Sequence, residues 1–186
     1  MIRLKFVLKI IFFLSLTSCI NEEKFIQGKI ENNVYENDYI KFSIPAEWKE
    51  KKCGGNIILT LQRQIWKNNE MVIPTILLYA GTKNENDFLT YFGDLKSLAL
   101  GSQETYLRND IYKTKEQIDS FKVNGIKMYS FETIINNEKF NIPNMYQNHL
   151  FFNVDTVFFE LRLSDYDRFE EIEKDYEIIL ETLVRK

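Results

Sequence analysis

Two side chains could form a nucleophile–base pair, His149 and Cys53, because an imidazole beside a thiol turns it into a thiolate. His149 is the only histidine of the 186 residues and lies in "QNHLFF", next to apolar positions. Cys53 opens "CGG", which fits no nucleophile motif, and the two residues lie far apart in the chain. The reading is therefore a hydrogen-bonded or exposed histidine, with no catalytic residue predicted. The carboxylates of "DYDRFEEIEKD" (Asp165 to Asp175) are hard oxygen donors of the kind Ca²⁺ takes. Phe169 and Glu170 fall where an EF-hand loop needs a ligand and a turning glycine. Glu170, Glu171 and Glu173 instead suit the first turn of a helix, where the dipole favours acids. One histidine and one remaining thiol make zinc a poorer fit still. "CGG" and Gly81 belong to no Gly-rich pattern ending in Lys-Ser/Thr, so no phosphate loop is read. No metal or cofactor is expected.

The other cysteine has a different chemistry. Arg3, Lys5 and Lys9 precede an apolar run from Ile10 to Leu16, and Leu16-Thr17-Ser18-Cys19 follows it. A cationic start, a short apolar stretch and small residues form the layout of a secretory signal, far shorter than the roughly 20 residues of a membrane span. "LTSC" resembles the bacterial lipobox. That resemblance implies a diacylglycerol thioether on Cys19, cleavage before it, and a chain held to a membrane by its lipid. Two or more acyl chains hold firmly where one binds marginally. Glu22-Glu23 is similar to the surface-export signal of Bacteroidota lipoproteins. It leaves an outer-membrane lipoprotein that is either surface-exposed or periplasm-facing, and a solvated tether accounts for the same two acids.

Charge narrows the partners. The chain has 24 Lys+Arg and 27 Asp+Glu, a net charge of −3, and loss of Arg3, Lys5 and Lys9 with residues 1–18 takes it to −6. Phosphate backbones require clustered cations, so nucleic acid is not an expected partner. With Cys19 lipidated, Cys53 has no partner for an intramolecular disulfide, and the fold must rest on packing. A 45% hydrophobic and 15% aromatic composition suits one domain of that kind.

The elements that would position these residues are mostly strands. Ile20 to Asn37 is polar ("EEK", "ENN") and reads as a flexible tether, residues 19–37, with strand character near Val34-Tyr35. About 18 such residues would reach roughly 23 Å. The domain then spans residues 38–186. "YIKFSIP" is a strand stopped by Pro45. "NIILTLQRQI" alternates Ile57, Leu59, Leu61 and Ile65 with Thr60, Gln62 and Gln64, interrupted by Arg63. After a "KNNE" turn, "TILLYAG" suits a central strand. A helix capped by Asn86 is predicted through Phe88, Leu89, Phe92, Leu95, Leu98 and Ala99, ended by Gly101. A polar strand starts at Ile111-Tyr112. Asn124-Gly125 marks a two-residue hairpin turn, and "NNE" (Asn136 to Glu138) another turn. "NMYQNHLFF" and "TVFFELRLS" pair around Asn153-Val154-Asp155. A last helix from near Arg168 to Val184, capped by Asp165 or Asp167, puts Phe169, Ile172, Tyr176, Ile179, Leu180 and Leu183 on one face.

Hairpin-linked strands with helices give an α+β class, an antiparallel β-sheet with packed helices. Phe42-Ser43-Ile44-Pro45 with Trp48, and the closing "FFELRLS" strand before a long helix, resemble PsbP-like domains. That resemblance covers most of residues 38–186 and implies an αβα sandwich used for docking onto proteins, with no catalytic residues to carry over. Trp66, beside a polar turn, and Tyr106, near a helix–strand junction, are partner-contact candidates, with packing under neighbours as the alternative for each. The functional expectation is a membrane-anchored, non-catalytic binding or accessory module for a partner protein or envelope component. The alternative is an immunity-type lipoprotein that neutralises a toxin.

Overall fold

A computed structural model of the chain describes residues 26–52, 54–67, 69–82, 93–114, 117–135, 144–166 and 169–186. Cys19, Cys53, the Asn86 cap, Phe88, Leu89, Phe92 and the "NNE" turn lie outside them. So do Asp167 and Arg168.

An antiparallel sheet forms the middle layer. In spatial order it contains β10 (Asp119–Val123), β11 (Ile126–Ile135), β12 (Met145–Val154), β13 (Val157–Tyr166), β8 (Thr75–Thr82), β5 (Ile57–Gln62) and β4 (Lys49–Lys51). β9 (Tyr112–Thr114) pairs with β11 beside β10. Hairpins explain the order. Asn124 and Gly125 adopt φ of 47° and 81°, the positive angles of a two-residue turn that joins β10 to β11. Asp155, at φ 53°, turns β12 into β13. "TILLYAG" becomes β8, paired on both sides by β13 and β5, as its unbroken apolar run predicts.

One face of this sheet carries the main core. Val157, Phe159, Leu161 and Leu163 of β13 are all at most 3% exposed and meet Leu59, Leu61, Ile76, Leu78, Leu150 and Phe152. Helix α2 (Glu170–Thr182) closes that face with Phe169, Ile172, Tyr176, Ile179 and Leu183, the stripe predicted from sequence. The helix is shorter than predicted, because Val184 leaves it to join β14 (Val184–Arg185). Its first turn is preceded by Asp165, whose carboxylate accepts from the N–H groups of Phe169 and Tyr166, both at 2.7 Å. Phe169 itself occupies the cap position.

A small sheet packs on the same side, in the order β1 (Lys29–Glu31), β2 (Val34–Glu36), β3 (Ile40–Ser43), β14. It corrects the expected tether: from Lys29 to Glu36 the chain is a paired hairpin, and Tyr35 is 1% exposed against Phe42. Alternation is short there, and burial of Tyr35 against Phe42 of β3 anchors the paired strands. Asn37 then orders the entry to β3, its Oδ1 accepting from the N–H of Tyr39 and Ile40, each at 2.9 Å.

The opposite face is covered by α1 (Leu95–Leu107), which packs on β9, β11 and β12 through Leu95, Leu98 and Ala99 over Phe131 and Phe151. Asp94 caps α1 by accepting from Ser97 N at 3.0 Å and Ser97 Oγ at 2.7 Å. Gly101, expected to end a helix, instead lies inside this one. A capping aspartate outweighs one interior glycine, whose cost is about 1 kcal/mol. With α1 on one face and α2 plus the small sheet on the other, the order of layers is α, β, α.

Candidate functional site

Two places on the molecule concentrate polar chemistry. The first lies under α1. Because β11, β12 and β13 pair in register, Phe131 faces His149 and His149 faces Arg162. Side chains two residues along the same strands share that face, which adds Thr133, Gln147, Ser164 and Glu160. His149 Nδ1 is 2.9 Å from Glu160 Oε1, and its Nε2 is 3.1 Å from Thr133 Oγ1. Arg162 donates from Nε and Nη2 to the same Glu160 oxygen at 3.0 and 2.9 Å. Gln147 Nε2 donates to Ser164 Oγ at 3.1 Å.

The hydroxyl–imidazole–carboxylate order of Thr133, His149 and Glu160 is that of a hydrolase triad. Its surroundings are not. Thr133 and His149 are both 0% exposed, Phe131 stacks on the imidazole at 4.6 Å, and the Tyr106 ring covers it at 4.8 Å. No face of the hydroxyl is left for a substrate. Burial pushes the His149 pKa below its ordinary value, outweighing the opposite pull of Glu160. Burial works against the Glu160 carboxylate, but His149 and Arg162 hold its pKa below the usual value. A neutral imidazole that donates from Nδ1 to an ionised Glu160 and accepts at Nε2 satisfies both contacts. The arrangement is a polar clamp across three strands.

Tyr106, expected as a partner contact, belongs to this clamp. Its ring meets Tyr112 edge-on at 4.8 Å and Phe131 at 6.0 Å, and burial raises its pKa to about 12. Half-buried, Tyr106 shows the packing under neighbours weighed as its alternative, with Tyr112 and Phe131 forming an aromatic socket at the helix–strand junction.

The second place lies at the end of β5. Arg63 N donates to Pro74 O at 3.2 Å, and beyond this stem β6 (Ile65–Lys67) and β7 (Glu70–Val72) form a separate hairpin. Asn69, at φ 66°, makes its turn. Arg63 and Ile65 face inward. Arg63 Nη1 bonds Asp175 at 2.7 Å, Asp175 also accepts from Trp48 Nε1 at 2.7 Å, and Ile65 packs on the core. Gln62, Gln64 and Trp66 alternate with these residues and face the other way. Trp66 is 72% exposed, and its cross-strand partner Met71 is 46% exposed. Beside them runs a groove of about 410 Å³ lined by Glu47, Lys49, Lys51, Gln62 and Gln64. Glu47 is paired with Arg63 at 2.6 Å.

Sequence reasoning found Trp66 and the Gln62/Gln64 face but missed the lysine side of the groove. The pairing Lys49↔Gln62 that creates it joins residues with no pattern in common. It also left His149 as an isolated residue, because its partners come from neighbouring strands. Their signal was polar residues recurring at every second position of strands whose two faces are both covered. Among the described residues no group of three or more His, Cys, Asp and Glu is placed to hold a metal ion. No described helix is long and apolar enough to cross a membrane.

No protein-family model and no curated protein matches the chain. Solved structures do. LpqN, involved in cell envelope biogenesis of Mycobacterium tuberculosis, aligns with a TM-score of 0.53 at 12% identity, over 79% of this chain and 83% of that one. Cyanobacterial PsbP (CyanoP) from Synechocystis sp. PCC 6803 aligns with 0.52 at 11% identity, over 86% and 92%. A Bacteroides thetaiotaomicron VPI-5482 protein aligns with 0.48 at 13% identity, and this chain spans 45% of its length. The fold is thus an α+β fold of antiparallel sheets and helices that resembles PsbP-like domains.

Proposed function

We propose that this chain is a bacterial envelope lipoprotein, lipidated at Cys19, that acts as a non-catalytic binding or accessory module for a partner protein or envelope component. The observation that carries the binding role is Trp66, 72% exposed at the end of a hairpin with Met71 beside it. A large indole left in water lacks the stabilisation that burial gives, and such aromatics are enriched where proteins make contacts. The clamp under α1 supports the non-catalytic part, since its hydroxyl and imidazole are sealed. The likeness to LpqN, involved in cell envelope biogenesis, supports an envelope setting.

Ile26 and the Trp66 hairpin lie toward opposite ends of the large sheet. The Ile26 carbonyl accepts from Asn37 Nδ2 at 2.9 Å, and Tyr39, two residues on, packs against Phe159, which faces Ala80 on β8. The Trp66 hairpin joins β8 at its other end, Thr75, about 17 Å away along the strand.

In-cell photocrosslinking from position 66, in the wild type and in Cys19→Ala, tests the proposal, with metabolic labelling by a palmitate analogue run alongside. Label on the wild type alone, and a specific adduct lost in the unanchored variant, are expected. Equal labelling of both forms would end the anchor reading, and an adduct pattern no different from an exposed control position would end the binding role.

A further inference from the structure

We infer that the edge strand β1 is a pairing surface for a second copy of this chain, joined antiparallel about a two-fold axis at Ile30. β1 has β2 on one side and, among the described residues, no strand on the other. Asn32 and Asn33, at φ 51° and 58°, make a two-residue turn, so Glu31 and Val34 are the hydrogen-bonded pair that closes it. Hydrogen-bonded and non-bonded pairs alternate along such a ladder. Lys29 therefore bonds inward with Glu36, while the N–H and C=O of Ile30 point out from the edge. Outward groups of this kind are a template for another strand.

Ile30 set opposite Ile30 of the other copy satisfies both groups with a reciprocal pair of hydrogen bonds. The axis stands perpendicular to the sheet, so like faces stay together. Ile30, which packs on the core and lies opposite Tyr35, then meets its own copy on the core side. Lys29 and Glu31 lie on the other face, their side chains 66% and 67% exposed and their charged atoms 3.0 Å apart. The same register sets Lys29 against Glu31 of the other copy, twice, as non-hydrogen-bonded pairs with Cα atoms about 4.5 Å apart. Four charges alternate in sign around the axis, and opposite charges so placed favour pairing.

Charge selects this edge and this occupant. β4, centred on Glu50, would set Lys49 against Lys51. β9, centred on Lys113, would set that lysine against itself. β10, centred on Phe121, would pair Asp119 with Val123 and Ser120 with Lys122, which gains no ion pair, and Lys122 already faces Lys127 on β11. Of these four strands, only Lys29-Ile30-Glu31 complements its own reversed order. Pairing there joins the two four-stranded sheets into one.

Disulfide trapping of the full chain in intact cells tests this. Two copies with tags of different size carry Lys29→Cys on one and Glu31→Cys on the other, both with Cys53→Ser, and a mild thiol oxidant is added. Position 29 of one copy lies opposite position 31 of the other. It stands about 8 Å from position 29 of the other copy, beyond the roughly 7 Å that a disulfide spans. The mixed-size dimer should therefore exceed either same-size dimer severalfold. Adding Glu31→Lys to the Lys29→Cys copy puts lysine against lysine and should cut the mixed dimer severalfold. Adding Lys29→Glu to the other copy should then restore it, and that rescue separates lost charge from lost fold. Equal amounts of mixed and same-size dimers, no dimer above Cys53→Ser alone, or charge reversal without effect would overturn the inference. A disulfide to a different protein in place of the dimer would also overturn it, giving the edge to a foreign strand.

Discussion

His149 and Glu160 meet diagonally across β12 and β13 with Nδ1 and Oε1 2.9 Å apart, and the imidazole is fully buried beneath α1. Both groups titrate in the same direction on folding. Burial lowers the pKa of His149 below 6.5, and His149 and Arg162 hold Glu160 below 4.5 against its own burial. A depressed pKa means that the unfolded chain binds the proton first. Stability is therefore complete above about pH 6.5 and falls as the pH drops below it, first through His149 and then through Glu160. Urea midpoints at pH 8, 6.5, 5.5 and 4.5 should decline steadily on the acid side. A flat profile between pH 7 and 5 would show that His149 is not buried in its neutral form.

Asp175 joins α2 to the β5 end of the large sheet. One of its oxygens accepts from both Trp48 and Arg63, each at 2.7 Å. Asp175→Ala leaves the indole N–H without that acceptor and a mostly buried guanidinium with one fewer carboxylate, at a cost of about 2–3 kcal/mol. Chemical denaturation should show the loss, and Asp175→Asn, which keeps an acceptor, should lose less.

Gly28 has no room for a side chain. A Cβ there would stand 2.5 Å from the Tyr35 ring and 2.6 Å from the Glu36 carbonyl. Gly28→Ala must therefore displace a buried tyrosine or the β2 backbone, and about 1–3 kcal/mol of destabilisation is expected. Faster amide exchange in Tyr35 and Phe42 would locate the damage in the small sheet, while the hairpins of β10 to β13 keep their protection.

Asn124 has two tasks. Its backbone takes the positive φ of the turn, and its Nδ2 donates to Glu181 O at 2.7 Å and Leu183 O at 2.9 Å. Those carbonyls end α2, so the turn side chain serves as its cap. Asn124→Gly keeps the turn geometry and removes the cap. It should cost about 1–2 kcal/mol in thermal or urea unfolding, whereas Asn124→Asp, which cannot donate, should cost at least as much.

What was readable in the sequence follows from period and turn chemistry. The alternation of Val157, Phe159, Leu161 and Leu163, the Asn124-Gly125 turn and the α2 stripe from Phe169 to Leu183 each specify their element locally. The β1–β2 hairpin does not, since three-residue strands rich in Glu, Lys and Asn carry no period, and long-range contact with β3 and β14 decides them. Described helix α1 starts after the Asp94 cap, a signal that the apolar run Phe88 to Ala99 obscures, and runs past Gly101 to Leu107. The clamp needed strand register: no spacing along one chain shows that Thr133, His149 and Glu160 meet. The groove needed the pairing of Lys49 with Gln62 across β4 and β5.

The small sheet places β14 against β3, and the backbone N–H of Lys186 donates to Tyr39 O at 3.0 Å. Lys186 Nζ also reaches Glu36 at 2.8 Å. Strands from the beginning and the end of the described chain thus lie side by side, and Lys186 and Glu36 are the most remote hydrogen-bonded pair in sequence among the described residues. Closing so long a loop is slow, and it has no reward until both ends are present. The order of assembly follows: the β10 to β13 meander and the β1 to β3 meander can form from adjacent strands, while the free edge of β3 waits for β14. A chain emerging from a ribosome or a translocation pore would keep β3 unpaired on one side until Val184 and Arg185 arrive. Val184 and Arg185 act as the latch of the small sheet.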